Sequence, residues 1–171
     1  MAPRYVLIGP PGAGKSTVAR ALSSLLKVAR RDTDADIERV TGKSISDIFI
    51  DEGEEHFRRI ERDIVLVALG EHDGVLALGG GAVLDPDVQD SIEQYKANGG
   101  HVVLLDVSLA AAAPRIGLNS SRPLLLGNPR KQWAELLEAR IETYRRLASF
   151  TVNTDRLDAA RIAREIVEAT A

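Results

Sequence analysis

The segment GPPGAGKST, Gly9 to Thr17, constrains the fold of this chain more than any other stretch. It fits the phosphate-binding pattern G-x-x-x-x-G-K-[ST], and it lies between the apolar run RYVLIG and a helical pattern that begins at Lys15. Such a loop needs a strand before it and a helix after it, because the loop amides and the helix N-terminus then point at one phosphate. We therefore predict a strand, a P-loop and a helix at the start of a nucleotide-binding domain.

Each polar group of this loop has a predicted task. The residues predicted to bind ATP here are Gly12, Ala13, Gly14, Lys15, Ser16 and Thr17. Backbone amides from Gly12 to Lys15 would surround the β-phosphate, and the Lys15 ammonium would bridge the β- and γ-phosphates. The Ser16 hydroxyl would bind Mg²⁺.

Alternating strand and helix patterns continue along the chain. Short apolar runs predict five strands, at 4–9, 28–32, 74–80, 101–107 and 150–153. Helical patterns fill the connections, and several begin with a typical capping residue such as Ser44 or Asp85. Strands joined by helices form parallel sheets that are covered on both faces. We therefore predict one doubly wound α/β domain over residues 1–171.

Composition narrows the class of protein. Of the 171 residues, 44% are hydrophobic and 27% are charged, as in ordinary globular domains, and the net charge of −3 argues against a broad nucleic-acid or membrane surface. The absence of cysteine excludes disulfides and thiolate metal sites. Every apolar run is far shorter than the ~20 residues of a membrane span, and the P-loop begins where a signal peptide would be apolar. We expect a cytoplasmic protein.

The segment DTDAD carries two carboxylates at the end of the second predicted strand. In an extended chain, side chains two residues apart face the same side, at the edge where parallel sheets bind ligands. Asp32 and Asp34 would then serve a hydrated Mg²⁺ and a substrate hydroxyl. Helix capping is the alternative for Asp34, because a helical pattern follows it. Helix capping would explain one of the two aspartates but not both, so we favour a ligand-binding site.

Two adjacent arginines lie in the helix predicted over 53–71. Alone, Arg58 and Arg59 would belong to a solvated face, because arginines are mostly exposed. Glu61 follows Arg58 by three residues and could hold its guanidinium in place.

Two further arginines lie near the end of the chain. Arg122 is in the polar loop 117–129, which we predict to be a mobile lid, and an arginine there could neutralise a moving phosphoryl group. Arg140 lies in the long helical pattern after this loop. Each could be a surface arginine, but together with a P-loop they suit an acidic acceptor.

Three consecutive glycines, Gly79, Gly80 and Gly81, follow the third predicted strand in LGGGAV. Glycine there costs entropy and packs no side chain, so something must approach this backbone closely. A bulge or tight turn is the alternative.

Taken together, these motifs resemble those of the shikimate kinases, within the P-loop small-molecule kinases. The resemblance spans nearly the whole chain through GPPGAGKST, DTDADIE, SISDIF, GEEHFRRIE, LGGGAV, SRPLL and RIETYRR, in the family's order and spacing. It implies that ATP, with Mg²⁺, phosphorylates the 3-hydroxyl of shikimate on the way to chorismate and the aromatic amino acids. It also implies a three-layer α/β/α fold whose five-stranded parallel sheet has the order 2-3-1-4-5, with a lid and a small helical acceptor-binding region near 34–62.

The resemblance also assigns residues by position. The implied catalytic residues are Lys15, Asp34 and Arg122, with Asp34 as the base and Arg122 touching the transferred phosphate. Arg115 would stack on adenine, and Asp32 would hold the metal through water. The implied substrate-binding residues are Asp34, Phe49, Phe57, Arg58, Gly79, Gly80, Gly81 and Arg140. Within that set, Arg58 and Arg140 would clamp the carboxylate.

Some features depart from the family pattern, and rival functions stay open. VNTDRLDAAR lacks the proline that is common in the family's adenine loop, and the segment from Ala110 to Arg122 is slightly long. Gluconate or a nucleoside monophosphate could be the acceptor, although the latter kinases would carry an Asp-Gly-Phe-Pro-Arg type segment in place of LGGGAV. A nucleotide-dependent switch would not need all these motifs. We expect shikimate and ATP as partners, no nucleic acid or membrane, and a monomer.

Overall fold

Five short parallel strands form one sheet in a computed structural model, which describes residues 1–117 and 128–171. The strands are β1 (Tyr5–Ile8), β2 (Arg30–Asp32), β3 (Val75–Ala77), β4 (Val102–Asp106) and β5 (Phe150–Asn153). Their spatial order is β2-β3-β1-β4-β5. The central strand β1 places Leu7 opposite Ala77 of β3 and Val103 of β4. The five predicted strands and their predicted order are confirmed.

Helices fill the connections between these strands, as parallel pairing requires. They are α1 (Lys15–Leu26), α2 (Thr33–Thr41), α3 (Ile45–Glu52), α4 (Glu54–Glu71), α5 (Pro86–Ala97), α6 (Leu109–Arg115), α7 (Pro129–Leu147) and α8 (Ala159–Ala169), with a 3₁₀ turn at Ala82–Leu84. Nowhere in the described part of the chain does a helix have both the length and the apolar character needed to cross a membrane.

Short polar side chains begin two of the helices where the sequence predicts them. The Ser44 hydroxyl accepts a hydrogen bond from the Asp47 amide at the start of α3. The Asp85 carboxylate accepts from two first-turn amides of α5, whose first residue is Pro86. Both caps satisfy amides that lack a partner within the helix.

Helix α2 begins earlier than the sequence predicts, which changes the geometry of the aspartate pair. Asp32 is the N-cap, and its Oδ1 accepts from the amides of Asp34 (2.9 Å) and Ala35 (3.4 Å). Asp34 is therefore not the N-cap, and it lies in the first helical turn. The expectation that the two carboxylates share one side of an extended chain is wrong, because the capping bonds turn the chain directly after Asp32.

Apolar side chains cover both faces of the sheet. On one face, α1 and α8 pack against a layer that includes Leu7, and on the other, α4, α5 and α7 pack against a layer that includes Val6. Adjacent strand residues thus face opposite layers, which confirms the predicted fold class. A third cluster of Ile37, Ile48 and Phe57 joins α2, α3 and the start of α4.

The core assignment can be tested with one leucine pair. Leu104 of β4 is 1% exposed, whereas Leu136 on α7 is 45% exposed. We expect Leu104→Ala to lower the free energy of unfolding by roughly 2–5 kcal/mol, because it leaves a cavity between sheet and helices. The matched control Leu136→Ala should cost less than about 1 kcal/mol. Urea denaturation followed by circular dichroism measures both, and equal losses would contradict the placement of β4.

Candidate active site

The carboxyl ends of β1, β2 and β3 meet at one edge of the sheet, and the predicted nucleotide-site residues gather there. A cavity of about 510 Å³ opens at this edge. The predicted residues that line it are Gly12, Gly14, Lys15, Ser16, Thr17, Asp32, Asp34 and Arg115. Parallel sheets bind ligands at this edge, and here residues from distant parts of the chain converge on one space.

The P-loop backbone turns sharply at two glycines, with φ of +84° at Gly12 and +92° at Gly14. Gly14 is the N-cap of α1 and makes no side-chain capping bond, so first-turn amides remain for ligand oxygens. The Ala13 amide, predicted to bind phosphate, instead donates to the Pro10 carbonyl (3.2 Å). The loop thus offers a phosphate site in which Ala13 N–H already has a partner.

The Lys15 side chain folds back onto the same loop. Its Nζ donates to the carbonyls of Gly9 (2.6 Å) and Pro10 (3.0 Å). Burial lowers the pKa of Lys15 to about 8, a shift that the two nearby aspartates oppose and Arg140 reinforces. Bound phosphate oxygens would stabilise the ammonium form, because they bring negative charge into a site of low dielectric.

Ser16 and Asp32 form an oxygen pair that suits Mg²⁺. The Ser16 hydroxyl donates to Asp32 Oδ2 (2.8 Å), while Oδ1 caps α2. Mg²⁺ prefers such oxygens and commonly uses only one or two protein ligands beside phosphates and water. Across residues 1–117 and 128–171, no group of three or more His, Cys, Asp or Glu side chains could hold a metal ion. The pair therefore fits a metal held together with a nucleotide.

Asp34 has the properties of a base at neutral pH. Burial, together with the negative charges of Asp32 and Glu61, raises the pKa of Asp34 to about 6, and Lys15 opposes the shift. A carboxylate with this pKa is ionised at pH 7 and still accepts a proton readily.

Charged side chains lie directly over two of the three consecutive glycines, Asp34 over Gly79 and Arg58 over Gly81. A Cβ on Gly80 would lie nearest to Pro11 Cδ (3.2 Å), with Arg140 Nη1 at 3.5 Å. A Cβ on Gly79 would lie 2.5 Å from Asp34 Oδ1, and a Cβ on Gly81 would overlap the Arg58 guanidinium. None of the three has φ in the left-handed region, so close packing rather than backbone conformation requires glycine here. Side chains of the site itself thus occupy the space that a Cβ would take.

Arg58 and Arg140 enter the site from α4 and α7. Arg58 Nη1 donates to Glu61 Oε1 (2.7 Å), as the spacing predicts. Glu61 is 3% exposed, and burial raises its pKa while Arg58 opposes the shift. Arg140 is 8% exposed and also acts electrostatically on Glu61. Two guanidiniums around one carboxylate leave positive charge for an acidic ligand.

The two predicted pocket phenylalanines have different surroundings. Their ring centroids are 4.8 Å apart. Phe57 is buried with Ile37 and Ile48, and its ring lies 5.2 Å from the Arg58 guanidinium carbon. Phe49 is 36% exposed and so retains surface for a ligand. Phe57 therefore supports Arg58 from the core side.

Arg115 is already engaged by backbone carbonyls. It donates to Gly12 O (3.0 Å), Thr154 O (2.6 Å) and Asp155 O (2.9 Å), which joins the end of α6 to the P-loop. Leu157, which the sequence did not single out, lines the same cavity and packs against the backbone of the P-loop. Arg122 and most of the predicted lid lie outside the described residues.

Two aromatic residues of α7 were also missed. The Trp133 Nε1–H donates to Pro11 O (2.9 Å), and the Tyr144 hydroxyl donates to Gly80 O (2.5 Å). Burial raises the pKa of Tyr144, which keeps its hydroxyl protonated as a donor. Positions 133, 140 and 144 recur at helical spacing, and this common face with Arg140 is the signal that could have found them.

Known proteins match the chain over nearly its whole length. A family model described as shikimate kinase matches residues 11–171. A shikimate kinase from Thermobifida fusca is 53% identical over 154 residues, covering 89% of this chain and 86% of the relative. One from Mycobacterium tuberculosis is 47% identical over 169 residues, covering 98% and 93%. The solved structure of an Acinetobacter baumannii shikimate kinase in complex with shikimate aligns with a TM-score of 0.89 at 35% identity, covering 99% and 92%. The chain therefore belongs to the shikimate kinase family.

Proposed function

We propose that this protein transfers the γ-phosphoryl group of ATP to the 3-hydroxyl of shikimate, giving shikimate 3-phosphate and ADP. One observation carries the proposal: beside the three glycines after β3, the Asp34 carboxylate, the partly buried Arg58 and the buried Arg140 lie at the sheet edge where the P-loop leads into α1. The P-loop suits phosphates, Asp34 suits a hydroxyl proton, and the arginines suit a carboxylate. Membership of the family supports shikimate as the acceptor.

The order of the charged side chains along the three glycines would set the orientation of the bound acceptor. Asp34 lies over Gly79 and close enough to Lys15 to shift its pKa, so this end adjoins the phosphates. Arg58 lies over Gly81 at the other end. A flat ring with a hydroxyl at one end and a carboxylate at the other would thus place its hydroxyl beside the γ-phosphate. Orientation of this kind lowers the barrier by removing the entropy of alignment.

The remaining roles are proposed from position in the cavity or, for Arg122 and Phe49, from the family resemblance. Asp34 would accept the hydroxyl proton, Lys15 would leave its loop carbonyls for the β- and γ-phosphates, and Arg122 would neutralise the transferred group. Ser16 and Asp32 would hold Mg²⁺, Asp32 through water, and the bound ion would offset phosphate charge. Arg115 and Leu157 would contact the adenine, with Leu157 supplying apolar surface. Phe49 would line the acceptor pocket.

Rival acceptors are less consistent with these features. Gluconate also carries a carboxylate and hydroxyls, so the arginine pair alone does not favour shikimate over gluconate as the acceptor. Membership of the shikimate kinase family does favour shikimate. A nucleoside monophosphate would need a base-binding surface beside the arginines. A simple nucleotide switch would leave Asp34, with its raised pKa, and the arginine pair without a ligand.

A coupled assay for ADP release tests the proposal directly. We expect ADP to form rapidly with shikimate, and slowly or not at all with gluconate, nucleoside monophosphates or no acceptor. Lys15→Ala should lose nearly all transfer while remaining folded, because it removes the charge that faces the phosphates. Equal ADP release with and without shikimate would overturn the assignment.

Replacing Asp34 separates the base from the nucleotide site. We expect Asp34→Asn to lower kcat by ~10²–10⁴-fold and leave MgATP affinity near that of the parent. In the parent, kcat/KM for shikimate should fall as the pH drops below about 6, because protonation with a pKa of about 6 removes the base. A collapse of nucleotide affinity in the variant would instead place Asp34 at the metal.

The same variant has an expected effect on stability. Folding raises the pKa of Asp34 from 3.8 to about 6, so the folded state favours the protonated carboxyl group. This contribution to the free energy of unfolding is fully present below pH 3.8 and is lost as the pH rises through 6. At pH 7, Asp34→Asn should therefore be more stable than the parent, by on the order of 1–2 kcal/mol. Urea midpoints at pH 7 and pH 4 measure the difference, which should shrink at pH 4.

Arginine variants test the charge of the acceptor. Arg58→Lys and Arg140→Lys should each weaken kcat/KM for shikimate by on the order of 2–3 kcal/mol, because lysine cannot reproduce the bidentate fork. The KM for ATP should change little. Arg59→Lys is the matched control, because Arg59 is exposed on the same helix and pairs only weakly with Glu55 (3.4 Å).

An acceptor analogue without the carboxylate completes this test. The parent should use it poorly, and the two arginine substitutions should then cost almost nothing further. If the two substitutions lower kcat/KM for the analogue as much as they lower it for shikimate, then Arg58 and Arg140 do not bind the carboxylate of the acceptor.

A further inference from the structure

The carbonyl oxygens of the P-loop are held one after another by side chains. Lys15 binds those of Gly9 and Pro10. The next three acceptors and their donors are Pro11 O with Trp133 Nε1 (2.9 Å), Gly12 O with Arg115 Nη1 (3.0 Å) and Ala13 O with Thr154 Oγ1 (2.6 Å). These three donors come from α7, from α6 and from the segment after β5.

A fixed carbonyl also fixes the amide that follows it. The peptide unit is planar and trans, so the C=O of one residue and the N–H of the next point in opposite directions. The bond from Trp133 to Pro11 O therefore sets the direction of the Gly12 N–H. In the same way, the bond from Thr154 to Ala13 O sets the direction of the Gly14 N–H.

We propose that Trp133 and Thr154 are positioning residues for nucleotide binding, which orient the Gly12 and Gly14 amides toward the β-phosphate by holding the carbonyls behind them. This inference rests on the proposed function only in taking a nucleotide phosphate as the ligand of the loop. Neither side chain lines the cavity itself, and each acts on the ligand through the P-loop backbone.

Packing of the core alone does not require the polar groups of Trp133 and Thr154. Trp133 is 5% exposed and Thr154 is fully buried. A valine at 154 would fill nearly the same volume, and a phenylalanine at 133 would supply a smaller apolar ring, in both cases without a polar group to satisfy. The chain instead buries an indole N–H and a hydroxyl, and both reach consecutive parts of one loop.

The loop needs such support because its backbone is intrinsically mobile. Gly12 and Gly14 adopt left-handed φ values that glycine reaches easily, and glycine also loses the most freedom on ordering. Bonds that hold the loop before the ligand arrives reduce the entropy lost on binding. Their removal should therefore weaken phosphate binding rather than acceptor binding.

Steady-state kinetics of Trp133→Phe and Thr154→Val test the proposal. We expect the KM for ATP to rise roughly fivefold in each, as for loss of one hydrogen bond that leaves a carbonyl unpaired. The KM for shikimate should change by less than about twofold. The inhibition constant of ADP should rise as the KM for ATP does, and that of adenosine should not, because adenosine lacks the phosphates.

Two control variants remove a similar bond elsewhere. Tyr144→Phe removes the hydroxyl that holds Gly80 O on the same helix, and it should raise the KM for shikimate instead. Tyr95→Phe removes a hydroxyl that donates to Pro3 O (2.9 Å), far from the cavity, and it should change neither KM. Urea midpoints of all four variants separate loss of stability from loss of binding.

A conservative substitution at position 154 keeps the test valid if one of the two variants folds poorly. Thr154→Ser retains the hydroxyl and should restore the KM for ATP to near the parent value. Unchanged nucleotide constants in both Trp133→Phe and Thr154→Val, or equal rises in both KM values, would overturn the proposal. Calorimetric binding of ADP to each variant gives the same comparison without turnover, so it tests the inference even if shikimate is not the acceptor.

Discussion

The close packing of Asp34 on Gly79 and of Arg58 on Gly81 is the constraint on which the site depends. Because no Cβ lies between these side chains and the backbone, they reach the sheet edge from α2 and α4, while Arg140 approaches Gly80 from α7. The glycine segment follows β3, which pairs directly with β1, and β1 leads into the P-loop. The hydrogen-bond register of two neighbouring strands thus fixes the position of the glycine segment relative to the P-loop, and side chains from the helices complete the edge.

Burial of charged side chains at this edge affects both their pKa values and the stability of the folded protein. Burial moves the pKa of Asp34 up and that of Lys15 down, so each is shifted toward its neutral form. Opposite charges nearby limit these shifts, and the direct bond from Arg58 likewise limits the upward shift in the pKa of Glu61. A site tuned this way stores unfavourable electrostatic energy in the folded state, which the rest of the core must offset. The raised pKa of Asp34 is therefore accompanied by a loss of stability in the folded protein.

The sequence predicted those features that local signals encode. The P-loop, the five strands and the helix starts at Ser44 and Asp85 depend on neighbouring residues, and the structure has them. The aspartate pair was harder, because two aspartates precede one helix and either could cap it. Trp133 and Tyr144 escaped notice because their partners are backbone carbonyls 122 and 64 residues away. Any residue can supply a carbonyl, so no pattern in the sequence marks these contacts.

Helix α7 joins the two halves of the reaction. Trp133 near its start binds the P-loop, Tyr144 near its end binds the glycine segment, and Arg140 lies between them. Eleven residues of α-helix span about 16 Å, and a helix is stiff over that length. Phosphoryl transfer requires the attacking hydroxyl to be in line with the γ-phosphate, and small errors of position are costly. A rigid helix that holds both loops fixes the position of the P-loop relative to the glycine segment, and these are the phosphate site and the acceptor site of the proposed function.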